Sequence, residues 1–503
     1  MDVSHYSKRI AGAGLLFFLG MIFGRALTYL YVALISRLGS SEYGLLSLGF
    51  AISLFLATFA LLGLRTGIVR YISYFNGKGD IKRVKGVIYS SIRLSLPLSL
   101  FFAFLLFIFS EYISITFFHN PNLIVILRLF SFTIPFITLS HVFLGAMIGF
   151  QKIEYQIGIK EIAENLIRLI LTFIMIYLGY KLWGAAIAYV VTTILIFILT
   201  WHALRKKVFP NLVSKLKPKL IDKELFLFSA PLIFTGFFNL IVKWIDVFMI
   251  GIFRNVSEVG IYNVALPTAN LLIIVPTALM ALFMPIITEL YSKNKLKDVE
   301  ELSKITSKWI FFLNLPIFLL MLLFSKQILF FAFGPEYEIG YFVLYILALG
   351  YIIHSLSHTY SSILSMIKKT KIILYVIMII TLIAILLNYI LIPKIGILGG
   401  AISTSISLFL GCLIYAIITY KLTKIQPLKL NYFKAIFAGI ISSLIILYLS
   451  NAYNPYSIFA LIGFGLLFLI IYVIFLILFK CLESSDKEIL ISFFNIFKNK
   501  LKK

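Results

Sequence analysis

The chain has 503 residues, of which 61% are hydrophobic and only 13% are charged, and its mean hydropathy is +1.04. This composition excludes a soluble globular protein of that length, which needs far more polar surface. The formal net charge is +25, but the basic residues lie in short loops between apolar stretches, so we expect no nucleic-acid partner. Cys412 and Cys481 are too few for a disulfide framework or a metal cluster, and we expect neither a metal site nor a cofactor.

Apolar stretches long enough to cross a hydrocarbon core of about 30 Å follow one another along the whole chain. Because a spanning segment must satisfy its own backbone hydrogen bonds, these stretches predict an all-α integral membrane protein. The first stretch is too long and too interrupted for a cleaved signal peptide. The fourteen predicted transmembrane helices cover residues 11–36, 43–64, 86–110, 123–148, 157–179, 184–204, 225–253, 260–288, 309–333, 340–366, 372–393, 397–420, 433–450 and 457–480.

The basic residues are distributed very unevenly between the two predicted faces of the membrane. Of the 45 Lys and Arg residues, 35 lie in the two terminal segments, in alternate loops and at the adjoining helix ends, and five lie in the intervening loops or toward the same face within a helix. The positive-inside rule therefore predicts a cell-membrane protein with both termini in the cytoplasm. The other five basic residues lie inside predicted helices: Arg25, Arg93, Arg128, Arg168 and Lys243.

Two motifs recur at nearly the same offset and indicate that the chain is built twice. The segment 37–45 recurs as 254–261 at an offset of 216, and the segment 184–188 recurs as 399–403 at an offset of 215. Six predicted helices separate the copies, so the two halves are parallel repeats, which we expect to face each other across a central cavity. The predicted regions are an N-terminal six-helix bundle (1–204), a basic cytoplasmic linker (205–224), a C-terminal six-helix bundle (225–420), helices 13 and 14 (421–480) and a basic amphipathic tail (481–503).

Four stretches, taken in order, carry a resemblance to a known family. They are the exit of the first helix at residues 34–45, the segment 245–262, the segment 333–337, and the segment 387–401. With these, the chain resembles the polysaccharide transporter family, the O-antigen-type flippases of lipid-linked oligosaccharides. The superfamily of these flippases also contains the lipid II flippase and the multidrug and toxin extrusion (MATE) transporters. The likeness covers about residues 1–425.

The resemblance implies a non-enzymatic membrane transporter working by alternating access. It implies that a glycan linked to polyprenyl phosphate moves from the inner to the outer leaflet, coupled to an ion gradient. The expected partners are this anionic lipid-linked glycan, membrane lipids and H⁺ or Na⁺ as coupling ion, and we expect the monomer to function alone. The alternatives are a MATE-like antiporter of cationic drugs and a membrane polysaccharide polymerase or ligase.

Charged residues inside membrane helices are costly and are therefore candidates for function. Arg25 lies near the middle of the first helix, and Lys243, Asp246 and Asn239 share one predicted face of the seventh. Arg25 and Lys243 nearly coincide under the repeat, and a cation from each half suits a phosphate group. The alternative is that Lys243 and Asp246 neutralise each other while Arg25 extends to the interface.

The other candidates have equally plain structural explanations. Arg65 and Arg70 follow the second helix, where an anionic substrate would arrive, or they anchor the positive side. Asp246 is also an ion-coupling candidate. Glu164 is another, or it forms an ion pair with Arg168 one turn later. His354 and His358, one turn apart, are coupling candidates as well, or they are satisfied interior histidines.

Overall fold

The computed structural model describes residues 3–427, 431–453 and 457–481, and the predicted tail beyond Cys481 lies outside them. Within these residues the chain is helical and contains no strand, as the composition predicts. The first nine α-helices are α1 (Val3–Ser36), α2 (Ser40–Ala60), α3 (Leu64–Gly77), α4 (Ile81–Tyr112), α5 (Asn122–Ser131), α6 (Thr133–Gly149), α7 (Ile153–Tyr155), α8 (Glu164–Tyr177) and α9 (Lys181–Ala203). The other nine are α10 (Asp222–Phe253), α11 (Val256–Ala269), α12 (Ile274–Ser292), α13 (Leu296–Phe333), α14 (Tyr341–Met366), α15 (Thr370–Ile395), α16 (Ile397–Thr423), α17 (Asn431–Tyr453) and α18 (Ile458–Leu478).

Twelve helical segments in the described part of the chain are long and apolar enough to cross a membrane. The two other predicted spans also fall on helices. The first coincides with α1, of which Gly20–Ser36 qualifies as a shorter apolar helix, and the fifth is divided between a π-helix and α8. The protein is thus a multi-pass membrane protein, and the count of fourteen stays a prediction.

Wider turns occur at three places, after α4, between α7 and α8, and after α9, and the hydropathy pattern does not predict them. Segments Ile113–Phe117, Gln156–Ala163 and Leu204–Val208 are π-helical. A 3₁₀ turn, Asn270–Ile273, follows Pro267 and separates α11 from α12 within the eighth predicted span. Such changes of helical pitch rotate the following residues relative to an ideal α-helix and often occur at functional sites.

The described chain forms two compact units. Unit 1 contains Met1–Pro267, Ala332–Tyr337 and Ile377–Ser403, and unit 2 contains Thr268–Phe331, Glu338–Val376 and Thr404–Lys503. Unit 1 has its own apolar core, which includes Leu64, Ile68, Val87 and Leu144. In unit 2, Phe312, Phe468 and Tyr472 belong to another core. The five predicted regions follow the repeat and not these units, and they stay predictions.

The predicted basic linker runs along α4 inside unit 1. The backbone N–H of Lys219 donates to the carbonyl oxygen of Lys82 at 3.0 Å. The buried ammonium of Lys85 donates to the carbonyl oxygens of Ser214 and Leu216 at 2.6 and 2.9 Å. These bonds hold the linker at the start of α4, so it is not a free tether.

The repeated motif that begins near Arg37 produces a reciprocal helix contact in unit 1. A Cβ atom at Gly44 of α2 would overlap the carbonyl oxygen of Val256, and a Cβ atom at Gly260 of α11 would overlap that of Ser40. The offset of 216 relates Gly44 to Gly260 and Ser40 to Val256, so the two contacts are equivalent under the repeat. The Ser40 and Ser257 hydroxyl oxygens lie 2.7 Å apart. We call these five residues the glycine seam. Only glycine permits backbones to approach this closely, so the seam explains why the repeated motif contains Gly44 and Gly260.

Candidate functional site

Arg25 and Lys243 lie at similar depths on two helices of unit 1. Arg25 is eleven residues before the end of α1 at Ser36, and Lys243 is ten residues before the end of α10 at Phe253. At 1.5 Å per residue these intervals are about 16 and 15 Å, half the thickness of a hydrocarbon core. Both side chains are exposed on the surface of the protein.

A third cation joins these two. The charge of Lys243 interacts with those of Arg25 and Lys160, so α1, α10 and the π-helix Gln156–Ala163 each contribute one positive charge. The Lys160 side chain is 33% exposed and forms an ion pair with Glu164 at 2.7 Å. We call Arg25, Lys160 and Lys243 the cationic cluster. Lys160 was missing from the sequence-based candidates because it lay near the basic end of a predicted helix and resembled a topology signal.

Close packing of α1 explains why Lys160 stands near Arg25. A Cβ atom at Gly24 would lie 2.7 Å from the carbonyl oxygen of Glu161, so only glycine allows this approach. The Asn165 amide donates to the same carbonyl oxygen at 2.8 Å. The π-helix thus packs against the turn of α1 that carries Arg25.

Arg65 belongs to the same polar region, and Arg70 does not. The charge of Arg65, at the start of α3, interacts with that of Glu161. His141 interacts with both Lys160 and Arg65. The guanidinium carbon of Arg70 instead lies 4.2 Å from the ring centroid of Phe228, in a cation–π contact at the surface. Of the two arginines predicted at the substrate entrance, only Arg65 has an electrostatic connection to the cluster.

Asp246 occupies a different environment from Lys243, although one helical turn separates them. Its side chain is only 3% exposed. Its Oδ2 accepts a hydrogen bond from the Tyr262 hydroxyl at 2.7 Å, and its Oδ1 accepts one from the Asn388 amide at 2.6 Å. The prediction that Asp246 contacts substrate beside Lys243 disagrees with this burial, because α11 and α15 cover the carboxylate. Asn239, the third residue of the predicted face, is exposed like Lys243.

Asn388 adds a second oxygen next to this carboxylate. The residue is completely buried, and its Oδ1 has no hydrogen-bond partner among the described residues. Buried polar atoms are rarely left unpaired, so such an oxygen beside a carboxylate suits a proton or a small hard cation. Asp246 therefore remains a candidate for ion coupling.

The expected pair of Glu164 with Arg168 is replaced by other contacts. Glu164 binds Lys160, one turn earlier, while the Arg168 guanidinium donates to the Asn165 side chain at 2.5 Å. The guanidinium carbon of Arg168 also lies 4.8 Å from the ring centroid of Tyr31. Glu164 therefore forms an ion pair within its own helical segment, as predicted, but its partner is Lys160 and not Arg168.

His354 and His358 lie side by side on α14 in unit 2. Their ring centroids are 5.3 Å apart, and Nδ1 of His354 lies 3.1 Å from the Ser357 hydroxyl. Nε2 of His358 is buried and lacks a partner in the described part of the protein. The interpretation as satisfied interior histidines therefore suits His354 better than His358. Across the described ranges, three or more His, Cys, Asp or Glu side chains never gather in a metal-binding arrangement.

Comparison with known proteins places these features in a family context. The family model described as "Polysaccharide biosynthesis protein" matches residues 12–291, and the MatE model matches residues 231–390. The chain is 24% identical over 387 residues to a protein of Shigella flexneri named as an O-antigen transporter, covering 75% of this chain and 89% of that protein.

Two further similarities agree with this assignment. The chain is 27% identical over 210 residues to a protein of Haloferax volcanii named as the low-salt glycan biosynthesis flippase Agl15, covering 42% of this chain and 44% of that protein. Its fold matches the lipid II flippase MurJ in an inward closed conformation with a TM-score of 0.73 and 20% identity, covering 93% and 99% of the two chains. Since the first family model spans more than half of the sequence, the chain belongs to the polysaccharide biosynthesis protein family.

Proposed function

We propose that this protein is a flippase that moves a polyprenyl-phosphate-linked oligosaccharide from the inner to the outer leaflet by alternating access. Both termini lie in the cytoplasm, in agreement with the seven-to-one distribution of basic residues between the two sets of loops. The relatives named as an O-antigen transporter and a glycan biosynthesis flippase support this class of substrate.

The cationic cluster is the observation that carries the proposal. Arg25 and Lys243 at mid-membrane depth and Lys160 beside them repel one another, and charges within the membrane are costly to keep away from water. Arg25 and Lys243 lie about 15 Å from their helix ends, too far to reach the interface easily. An anionic head group that enters between them would offset this repulsion through charge-assisted hydrogen bonds.

Other residues extend the site along the route of the substrate. Arg65 lies toward the cytoplasmic side, where a phosphate would first arrive, and Asn239 offers a neutral hydrogen-bonding group one turn from Lys243. Arg70, held at the ring of Phe228, serves the entrance electrostatically without direct binding.

The glycine seam supports alternating access. In the proposed topology it lies at the outer ends of α2 and α11, on the path from the cationic cluster to the exterior. Its contacts are neutral, with a Ser40–Ser257 hydroxyl pair and close backbone packing, so no ion pair has to break when it separates. We infer that it closes the outer side until substrate is bound.

The energy source is a gradient of H⁺ or Na⁺ that acts at Asp246. The buried carboxylate, with the unpaired Asn388 oxygen beside it, can take up either ion, and neutralising it would change its bonds to Tyr262 and Asn388. Glu164, already paired with Lys160, and the histidines His354 and His358 are secondary candidates. The protein acts as a monomer.

A MATE-like antiporter of organic cations is the second candidate. The match of residues 231–390 to the MatE model and the buried Asp246 favour it. The positive sign of the cationic cluster opposes it, because a cation would be repelled from the exposed surface. Efflux of a fluorescent organic cation, unaffected by lipid-linked oligosaccharide, would favour this alternative.

The decisive experiment measures flipping of a polyprenyl-phosphate-linked oligosaccharide in proteoliposomes. Arg25→Glu should reduce the rate at least about 100-fold, because it replaces a charge-assisted hydrogen bond with repulsion. Lys297→Glu, an exposed lysine in the first turn of α13, is the matched control and should retain the wild-type rate. Normal flipping by Arg25→Glu would contradict the substrate assignment.

A further inference from the structure

Arg168 is a half-buried cation of unit 1 that does not belong to the cationic cluster. It is on α8, one turn after Glu164, and its guanidinium packs against the Tyr31 ring of α1 with a distance of 4.8 Å between the guanidinium carbon and the ring centroid. Its charge also interacts with Tyr189 of α9. Three helices of unit 1 therefore surround one guanidinium.

Three polar atoms at this place lack a hydrogen-bond partner among the described residues. They are Nε of Arg168, the hydroxyl oxygen of Tyr31 and the hydroxyl oxygen of Thr172. Tyr31 is 3% exposed and Thr172 is completely buried. A single unpaired buried polar atom is unusual and destabilising, so three around one charge indicate an occupant.

The helix spacing and a ring contact bring the three residues to one region of unit 1. Thr172 follows Arg168 by four residues on α8, so the two side chains share a face. Tyr31 lies in ring contact with the same guanidinium, and Tyr31 and Tyr189 also interact with each other. Arg168 Nε–H and both hydroxyls can donate hydrogen bonds, so the group presents three donors.

The charged and neutral groups around Arg168 indicate the sign of the charge on the occupant. The nearest carboxylate along the helix, Glu164, forms its ion pair with Lys160 at 2.7 Å. The groups that contact Arg168 directly, the Asn165 amide oxygen and the Tyr31 ring, are neutral. A half-buried guanidinium whose direct contacts are neutral and whose enclosed Nε stands beside further donors suits an anion better than a cation.

We propose that Arg168, Tyr31 and Thr172 bind a small inorganic monovalent anion of the chloride class inside the first bundle. Tyr31 and Thr172 are buried and Arg168 is half-buried, so the site suits a small ion better than a group as large as a lipid phosphate. It is distinct from the exposed cationic cluster, and it stabilises the bundle without contacting the transported lipid. The inference is therefore independent of the proposed substrate.

Thermal unfolding of the purified full-length protein in detergent tests the site. At constant ionic strength, replacing potassium gluconate by potassium chloride should raise the Tm, because an anion that binds only the folded protein stabilises it. Arg168→Met should abolish this dependence. Thr172→Val and Tyr31→Phe preserve shape, and each should raise the half-saturating chloride concentration about tenfold, the effect of one hydrogen bond to a charged group.

Two control variants remove hydroxyls that already have partners. The Thr192 hydroxyl donates to the carbonyl oxygen of Ala188 at 2.7 Å, and the Tyr43 hydroxyl donates to that of Asn263 at 3.1 Å. Thr192→Val and Tyr43→Phe should keep the wild-type chloride dependence of Tm. An equal loss of chloride dependence in these controls would overturn the assignment.

A direct measurement covers the case in which Arg168→Met does not fold. Crystals of the wild-type protein soaked in sodium bromide should show an anomalous peak within hydrogen-bonding distance of Arg168 Nε. An ordered water at that position, with a Tm that does not depend on chloride, would overturn the proposal. Flipping is not measured in either experiment, so its presence or absence has no bearing on this result.

Discussion

Lys243 and Asp246 occupy adjacent turns of α10, yet they have opposite surroundings. Lys243 is exposed and shares its region with Arg25 and Lys160, whereas Asp246 is 3% exposed and accepts hydrogen bonds from Tyr262 and Asn388. Their angular separation on the helix is small, but the neighbouring helices α11 and α15 cover only the second. Proximity along a helix therefore says little about shared function when different elements pack on each residue.

The comparison suggests that Lys243 and Asp246 have separate roles, although both lie on α10. An accessible cation can meet a large anionic substrate, while a buried carboxylate can exchange only a proton or a small ion. Movement of α10 would connect the two, because a change in the bonds of Asp246 displaces the turn that carries Lys243. The following variants test whether the two residues act separately.

The largest effect is expected at the accessible position. Lys243→Glu should reduce flipping of the lipid-linked oligosaccharide at least about 100-fold, because it reverses one of three clustered charges. Lys243→Arg should retain most of the activity, since it preserves the positive charge. Equal loss in both variants, measured in proteoliposomes, would indicate a packing role for Lys243 in place of an electrostatic one.

A smaller and different effect is expected at the buried position. Asp246→Asn keeps the size of the side chain and its oxygen for Tyr262 but removes the charge, so flipping should lose its response to an imposed gradient, about a tenfold reduction. The measurement compares rates under Na⁺ and pH gradients with rates in their absence. Glu258→Gln, at a residue paired with Arg254 at 3.1 Å, is the control and should keep the response. An unchanged response in Asp246→Asn would remove the carboxylate from coupling.

The smallest effect is expected for Lys160, the cation that the π-helix contributes. Lys160→Gln should slow flipping only about threefold to tenfold, because Arg25 and Lys243 remain and the repulsion between them and Lys160 is relieved. Lys152→Gln is a matched control, since Lys152 is exposed and lies 3.6 Å from Glu154 in the preceding segment. A loss as large as that of Lys243→Glu would make Lys160 an equal member of the cluster.

Much of the fold was predictable because its signals are local. An apolar run of sufficient length must be helical in a membrane, and the described helices coincide with the predicted spans for this reason. The repeat was predictable from two short motifs, and the reciprocal contacts of Gly44 and Gly260 show its physical basis. The family resemblance agreed with the later comparison because it rested on the order of several such motifs.

The site was only partly predictable. Arg25 and Lys243 were identified because each lies deep within an apolar stretch, where a charge has a high free-energy cost. That position can be read from the sequence alone. Lys160 was missed because a π-helix, which hydropathy does not reveal, directs it toward Arg25 and pairs it with Glu164. The unpaired atoms around Arg168 belong to Tyr31, Arg168 and Thr172. A spacing of four residues relates the last two, but no spacing rule places Tyr31 beside them.

The sequence by itself determined the class of protein, its approximate spans, its internal repeat and the sign of its mid-membrane charges, because each depends on composition or on distance along the chain. Only the tertiary structure decided which charges share a region, which are buried and which polar atoms lack partners. Those properties depend on the rotation of each helix and on its neighbours, as the close approach of Gly24 to the π-helix shows. For that reason Lys243 and Asp246 looked alike in the sequence and differ in the structure.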